Sequence, residues 1–90
     1  MISREQHMDM VARTGCVICR EWYNGIYTPA EVHHVAEGSS KRNDYATAGL
    51  CEAHHRGAIG IHGLGVKKFL TFWNLSSEYE LLALVNKWRE

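Results

Sequence analysis

The stretch "CEAHHRGAIGIH", residues 51–62, gathers one cysteine and three histidines within a short segment. The whole chain of 90 residues contains only three cysteines and six histidines, so this concentration needs a chemical reason. Thiolate and imidazole are the side-chain ligands that zinc prefers in proteins. The stretch therefore predicts that a bound metal organises the fold.

The length and composition of the chain are consistent with this prediction. A chain of 90 residues, 46% hydrophobic and 22% charged, has the composition of a globular protein. We expect a single domain over residues 1–90, with a core small enough that a structural metal would help to hold it. No run approaches ~20 apolar residues, which excludes a membrane span, and the first ten residues lack the apolar run of a secretory signal. We therefore expect a cytoplasmic protein, whose reduced cysteines favour metal binding over disulfides.

Several segments have recognisable patterns of secondary structure. Residues 3–13 and 77–89 have the pattern of helices that begin with capping boxes, at Ser3 and Ser77 respectively. Between them, residues 15–20 are predicted as a loop. Residues 30–36 and 45–51 are predicted as two antiparallel strands, on the strength of their β-branched residues and the polar turn-forming residues between them.

Two pairs of metal ligands have the spacing of a tetrahedral zinc site. Cys16 and Cys19 form a C-x-x-C pair, and Cys51 and His54 form a C-x-x-H pair. A tight turn can direct both members of such a pair at one ion, and two pairs complete a four-coordinate shell. The alternative, three buried free cysteines, explains neither spacing.

Four further histidines are left over once this shell is closed. They are His33, His34, His55 and His62. His55 directly follows a zinc ligand, and the predicted hairpin places the adjacent pair alongside. A second, open metal site therefore explains these four histidines better than the assumption that they have no role. His7 is interpreted as an ordinary helical residue.

The order of these motifs resembles that of a known nuclease family. "CVIC", "VHHVAEGSSKRNDYATAGLCEAHHRGAIGIHGLG" and "KKFLTFWNL" together resemble the HNH endonucleases, and most closely the phage recombination-enhancement (Ref-type) nucleases. The resemblance covers about residues 14–75. It implies a small α+β fold with a ββα-metal core, stabilised by the structural zinc and flanked by helices.

The resemblance also implies roles for individual side chains. His33 corresponds to a ligand of the catalytic metal and His34 to the general base, whereas His55 and His62 correspond to further ligands. An unbroken helix would hold His55 and His62 about 10 Å apart, so a break at the intervening glycines is required. The asparagine that HNH enzymes often have near the second strand is matched only by Asn43 and Asp44, slightly upstream. Asp44 would then orient His34 or brace the loop, or it is simply a turn residue.

The implied activity is metal-dependent hydrolysis of DNA phosphodiester bonds. A free imidazole titrates near ~6.5, so histidine can accept a proton from water near pH 7. The cofactors implied are structural Zn²⁺ and a second divalent ion, Mg²⁺, Zn²⁺ or Ni²⁺. Arg56, with Lys41 or Arg42, would hold flanking phosphates or be solvated. The implied partners are DNA and a recombinase filament.

A second hypothesis is a non-catalytic zinc module that binds DNA or acts as an adaptor. In that case the histidines outside the zinc shell are incidental or bind another structural ion. The pair His33 and His34 favours the enzyme, because a structural module has no need for a histidine beside a ligand. Zero net charge predicts weak DNA affinity for the chain alone, and the sequence leaves the oligomeric state open.

Overall fold

The computed structural model describes residues 2–35 and 43–89. Within these residues the chain forms one two-stranded sheet and six helices. In chain order the elements are α1 (Arg4–Thr14), α2 (Val17–Trp22), β1 (Glu31–His34), β2 (Thr47–Leu50), α3 (Glu52–His55), α4 (Ile61–Leu64), α5 (Val66–Phe72) and α6 (Tyr79–Trp88). The prediction of a small α+β protein is confirmed. None of the helices in the described ranges is long and apolar enough to cross a membrane.

The first helix begins and ends as its sequence predicts. The hydroxyl of Ser3 accepts a hydrogen bond from the backbone of Gln6 (3.1 Å), and the Gln6 side chain accepts one from the backbone of Ser3 (2.9 Å). The helix ends before Gly15, which has a φ of +83° that glycine adopts without steric cost.

Residues 15–20 differ from the predicted loop, because most of them belong to α2. Cys16 is the N-cap of this helix, and its sulfur accepts a hydrogen bond from the backbone N–H of Cys19 at 3.5 Å. A thiol is a weak acceptor that is seldom considered a helix cap. The same C-x-x-C spacing that supplies two metal ligands therefore also starts a helical turn.

The last helix is shorter at its N-terminus than the predicted 77–89. It begins at Tyr79, and Glu78 occupies the N-cap position. Ser77 still accepts a hydrogen bond from the backbone of Tyr79 (3.2 Å), but the carboxylate of Glu80 bonds to the backbone N–H of Ser76 instead of Ser77. The predicted capping box is therefore not formed, and Glu78 is turned toward the protein interior, where it is buried.

The two predicted strands pair as an antiparallel hairpin. Their register places His33 opposite Ala48 and His34 opposite Thr47. All four residues of β2 are buried, because α1 and α6 pack against this strand. A side chain at Gly49 would lie only 2.4 Å from the carbonyl oxygen of Gly15, so the end of α1 can approach β2 only at a glycine.

The hydrophobic core lies between the sheet and the helices. Its largest fully buried side chains include Val11, Ile18, Leu50, Phe69 and Leu81, which come from five different elements. Cys16, Cys19 and Cys51 belong to the same buried cluster. The predicted zinc ligands are therefore part of the core and not of the surface.

Candidate functional site

The first group of candidate ligands consists of three cysteines and one histidine. Cys16 precedes α2 and Cys19 lies in its first turn, whereas Cys51 precedes α3 and His54 lies within it. All four side chains are buried, and their ligand atoms lie within 4.8 Å of one another. Two similar helix starts thus present one pair of ligands each to a common centre.

Three of the four distances within this group are close to those of a tetrahedral metal centre, and the distance from Cys51 to His54 is shorter. Nδ1 of His54 lies 3.6, 3.7 and 3.1 Å from the sulfur atoms of Cys16, Cys19 and Cys51 respectively, and the sulfurs of Cys19 and Cys51 are 3.9 Å apart. Zinc–sulfur bonds of ~2.3 Å and zinc–nitrogen bonds of ~2.05 Å imply ligand separations of about 3.6 to 3.8 Å. The Cys₃His group can therefore hold a structural metal such as zinc.

Burial shifts the pKa of two members of this group. It raises the pKa of the Cys16 thiol to about 12, because a thiolate there would lack solvation. It lowers the pKa of His54, which favours the neutral imidazole that binds metals. A divalent cation at the centre would supply the positive charge that buried thiolates require.

The second group consists of His33 on β1, His55 on α3 and His62 on α4. One ring nitrogen of each lies within 4.8 Å of the others, and Nε2 of His55 is 3.1 Å from Nε2 of His62. Metal–nitrogen bonds of ~2.05 Å imply nitrogen separations of about 3.4 Å in a tetrahedral shell and about 2.9 Å in an octahedral one. The observed separation lies between these values, so this group also fits a metal ion.

A glycine-rich corner between α3 and α4 brings His62 back toward His55. A side chain at Gly60 would lie 2.8 Å from the backbone of His54, and one at Gly63 would lie 2.1 Å from the carbonyl oxygen of Gly57. Only glycines permit these backbone approaches. The break in the helix, which the sequence analysis required for this pair, is present.

Two glutamates that the sequence analysis missed support the histidine group. Nδ1 of His55 donates a hydrogen bond to Glu31 (2.8 Å), and Nε2 of His33 donates one to Glu78 (3.1 Å). Histidine ligands of metals commonly donate their second N–H to a carboxylate, which fixes the tautomer and the ring orientation. The only hint of Glu31 in the sequence is its position two residues before His33, on the same face of the strand. Glu78 has no such hint.

The carboxylates and the histidines change one another's protonation. Burial lowers the pKa of His33, and the nearby imidazoles act in the same direction, although Glu78 opposes them. The guanidinium of Arg56 and the ring of His55 lower the pKa of Glu31 to about 2. Arg56 bonds to both oxygens of this carboxylate. Glu31 is therefore ionised at neutral pH, and His33 is held in the form that can bind a metal.

His34 lies at the same pocket but is bonded to a different carboxylate. Its Nε2 donates to Oδ1 of Asp44 at 2.8 Å, and Arg4 lies 3.8 Å from the other oxygen of Asp44. The neighbouring Asn43 occupies the turn position, where its side chain accepts a hydrogen bond from the backbone of Tyr45. A pocket of about 270 Å³ is lined by Val32, His33, His34, His55 and His62.

The structure thus separates two adjacent histidines into different groups. His54 joins the cysteines, and His55 joins His33 and His62. His7 belongs to neither group and is half-buried against the ring of Tyr45. Lys41 and Arg42, which were expected to contact phosphates, lie outside the described residues.

The fold and the first ligand group define a small α+β protein with a Cys₃His centre suited to zinc. The chain belongs to the family described as "recombination enhancement, RecA-dependent nuclease", which matches residues 2–82. This match confirms the resemblance to Ref-type nucleases and indicates a nuclease role in recombination. No similar curated protein and no similar solved structure was found.

Proposed function

We propose that this chain is a metal-dependent DNA endonuclease of the HNH class that hydrolyses phosphodiester bonds during recombination. The observation that carries the proposal is the pocket where His34, bonded to Asp44, lies beside the group of His33, His55 and His62. Membership of a nuclease family supports it. So does the order of β1, β2 and α3, which is the order of a ββα-metal core.

The Cys₃His group has a structural role in this proposal. Its ligands are buried within the hydrophobic core and closed to substrate. Closed four-ligand shells are typical of structural zinc, whereas catalytic sites keep an open position. The group joins the starts of α2 and α3, and thereby fixes the helix from which His55 extends.

His33, His55 and His62 would hold the catalytic ion. An ion held there would supply Lewis-acid chemistry, which would stabilise charge on the scissile phosphate and on the leaving 3′ oxygen. Glu31 orients the ring of His55, because its carboxylate accepts the Nδ1 proton and leaves the lone pair on Nε2. Glu78, at the start of α6, orients the ring of His33. Its carboxylate accepts the Nε2 proton, which leaves the lone pair on Nδ1.

His34 acts as the general base. A carboxylate only accepts hydrogen bonds, so the bond to Asp44 places the proton of the neutral ring on Nε2 and the lone pair on Nδ1. Nδ1 then takes the proton from the attacking water. Asp44 stabilises the imidazolium that results, in the way that a carboxylate supports histidine in other hydrolases.

Arg56 supports the site through Glu31. It donates from Nε and Nη2 to this carboxylate, and thereby holds the partner of His55 in place. The guanidinium is also more than half exposed, so a phosphate of bound DNA can approach it. We assign Arg56 first to positioning Glu31 and second to contact with a flanking phosphate.

The partners in this proposal are DNA and a recombinase filament, and the setting is a phage or prophage protein in the cytoplasm. Zero net charge provides little electrostatic attraction to DNA. The family description names RecA dependence, which supports delivery of the nuclease by a filament.

The test is cleavage of single-stranded and supercoiled DNA by metal-loaded protein, with and without a RecA filament. We expect strand breaks that require a second, exchangeable divalent ion and that form about 10²–10⁴-fold more slowly in His34→Ala. Elemental analysis of the same samples should show one tightly held zinc and one weaker site. If the protein holds one zinc ion, has no second metal site and does not cleave DNA, the result would instead support the non-catalytic zinc module.

A further inference from the structure

A second surface of the molecule exposes three aromatic rings, one of which lies beside two lysines. The rings are those of Trp22 and Tyr23, at the end of α2, and of Phe72, at the end of α5. They are 39%, 48% and 62% exposed respectively. We call these three rings, together with Lys67 and Lys68, the aromatic surface. Exposed apolar rings grouped in this way, and not scattered singly, are typical of a binding surface.

The ring of Trp73 contacts all three of these rings. Its ring centroid lies 5.3 Å from that of Trp22, 5.0 Å from that of Phe72 and 6.4 Å from that of Tyr23. Trp73 is itself buried and meets the ring of His54 edge-on at 5.3 Å. Trp73 therefore links the three exposed rings to the Cys₃His group.

The two lysines extend from the same face of α5 as Phe72. A groove of about 500 Å³ is lined by Lys67, Lys68, Thr71 and Phe72. Within residues 2–35 and 43–89, no carboxylate forms an ion pair with either lysine. The opposite face of α5 supplies Phe69 and Leu70 to the core, so folding does not require the exposed face.

We propose that the aromatic surface binds single-stranded nucleic acid, with bases stacked on the rings and phosphates beside the lysines. The inference rests on the proposed function, for which it names the form of the DNA. Unpaired bases stack on aromatic side chains irrespective of sequence, and cations along the groove follow the backbone. Bases within a duplex are already stacked, so a duplex would not gain the contact with the rings.

Charge complementarity favours this occupant over a protein partner. A docking site for an apolar segment of a protein needs rings, but it does not need two lysines that form no ion pair with a carboxylate of residues 2–35 and 43–89. Phosphates supply the complementary charge at every nucleotide. A recombinase filament as the occupant is the alternative, and the experiment separates the two.

The experiment measures binding of the zinc-loaded full chain to fluorescein-labelled oligothymidylate by fluorescence anisotropy. The parent protein carries His34→Ala, so that cleavage is slow compared with the measurement. Phe72→Leu keeps an apolar side chain but removes the ring, whereas Phe72→Trp keeps a ring. Loss of stacking on one base typically costs ~1–3 kcal/mol, which corresponds to about 5- to 150-fold weaker binding for Phe72→Leu. Phe72→Trp should bind at least as tightly as the parent protein.

The lysines are tested through the salt dependence of binding. Each phosphate contact to a single strand contributes ~0.7 to the slope of log K against log salt, so Lys67→Gln/Lys68→Gln should reduce the slope by about 1.4. Arg13→Gln is the matched control, because it removes an exposed positive charge on α1 that is paired with Asp9. Its slope should remain that of the parent protein.

Binding of the same proteins to a labelled duplex and to a RecA filament is measured in parallel. Three results would overturn the inference. The first is equal binding of oligothymidylate by Phe72→Leu and the parent protein. The second is binding of the parent protein to duplex but not to oligothymidylate. The third is loss of filament binding in Phe72→Leu while oligothymidylate binding is unchanged. The last result would identify a protein docking surface. Absence of cleavage by the wild type, with ring-dependent binding of oligothymidylate intact, would contradict the proposed function and leave this inference standing.

Discussion

The two ligand groups of this protein use similar chemistry in opposite surroundings. The Cys₃His group is buried among core residues, and its ligands face one another. The group of His33, His55 and His62 opens into a pocket, and Glu31 and Glu78 contact two of its rings. Burial thus suits the first group to holding the fold together, whereas the open position and the carboxylates suit the second to chemistry.

The contrast is sharpest between His54 and His55. They are neighbours on α3, where successive side chains point about 100° apart around the helix axis. One ring therefore enters the core and meets three sulfurs, while the other faces Glu31 and His62. The direction of the side chain, and not the residue type, separates the two sites.

The largest effect is expected when the buried group is broken. Cys16→Ser or Cys51→Ser should lose zinc and the fold together, because structural zinc supplies ~10 kcal/mol or more in small domains. Zinc content and circular dichroism measure both losses. His55→Ala is the control from the open group and should keep zinc and remain folded. A Cys16→Ser protein that stays folded with its zinc unchanged would remove the structural assignment.

The next effect concerns the general base. His34→Ala should reduce the cleavage rate by about 10²–10⁴-fold, with partial recovery at higher pH as hydroxide replaces the base. Both metal sites and DNA affinity should be retained, since His34 contacts Asp44 and is not one of the three grouped histidines. His33→Ala should differ by losing the second metal along with activity. Wild-type cleavage by His34→Ala would refute the catalytic role.

A smaller effect is expected when a supporting carboxylate is changed. Glu31→Gln should weaken binding of the second metal by about 10- to 100-fold, because the amide is a poorer partner for the Nδ1 proton of His55. Titration with Ni²⁺ or Zn²⁺ by calorimetry measures the change. Glu52→Gln, an exposed glutamate on the same helix as His55, is the control and should bind normally. Equal affinities for the two variants would show that Glu31 does not position the ligand.

The smallest effect is a pH dependence of stability when the second metal is absent. The pKa of His33 is lowered in the folded state, so the unfolded chain binds more protons as the pH falls below the ordinary histidine value of about 6.5. The stability contributed by neutral His33 is present above that value and is lost as the pH falls through the folded pKa. Urea unfolding of protein that carries only the structural zinc should show, across this pH range, a smaller loss of stability in His33→Gln than in the wild type. An equal pH dependence of the free energy of unfolding in the two proteins would contradict this prediction.

The sequence was sufficient wherever the partners are close along the chain. The capping box of α1, both strands and the two ligand pairs depend on spacings of two or three residues, which local geometry translates directly into contacts. The local rules were wrong at the starts of α2 and α6. There a thiol served as a cap, and the burial of Glu78 competed with a capping box.

Only the tertiary structure decided which distant residues complete the sites. Glu78 reaches His33 across 45 residues and Glu31 reaches His55 across 24, and no periodicity or motif encodes either pairing. The aromatic surface likewise exists because α2 and α5 meet around Trp73. Spacing along the chain specifies local geometry, whereas contacts between elements depend on how their apolar faces are buried together. The sequence therefore identified the candidate metal ligands, and the packing of the core determined which carboxylates contact them.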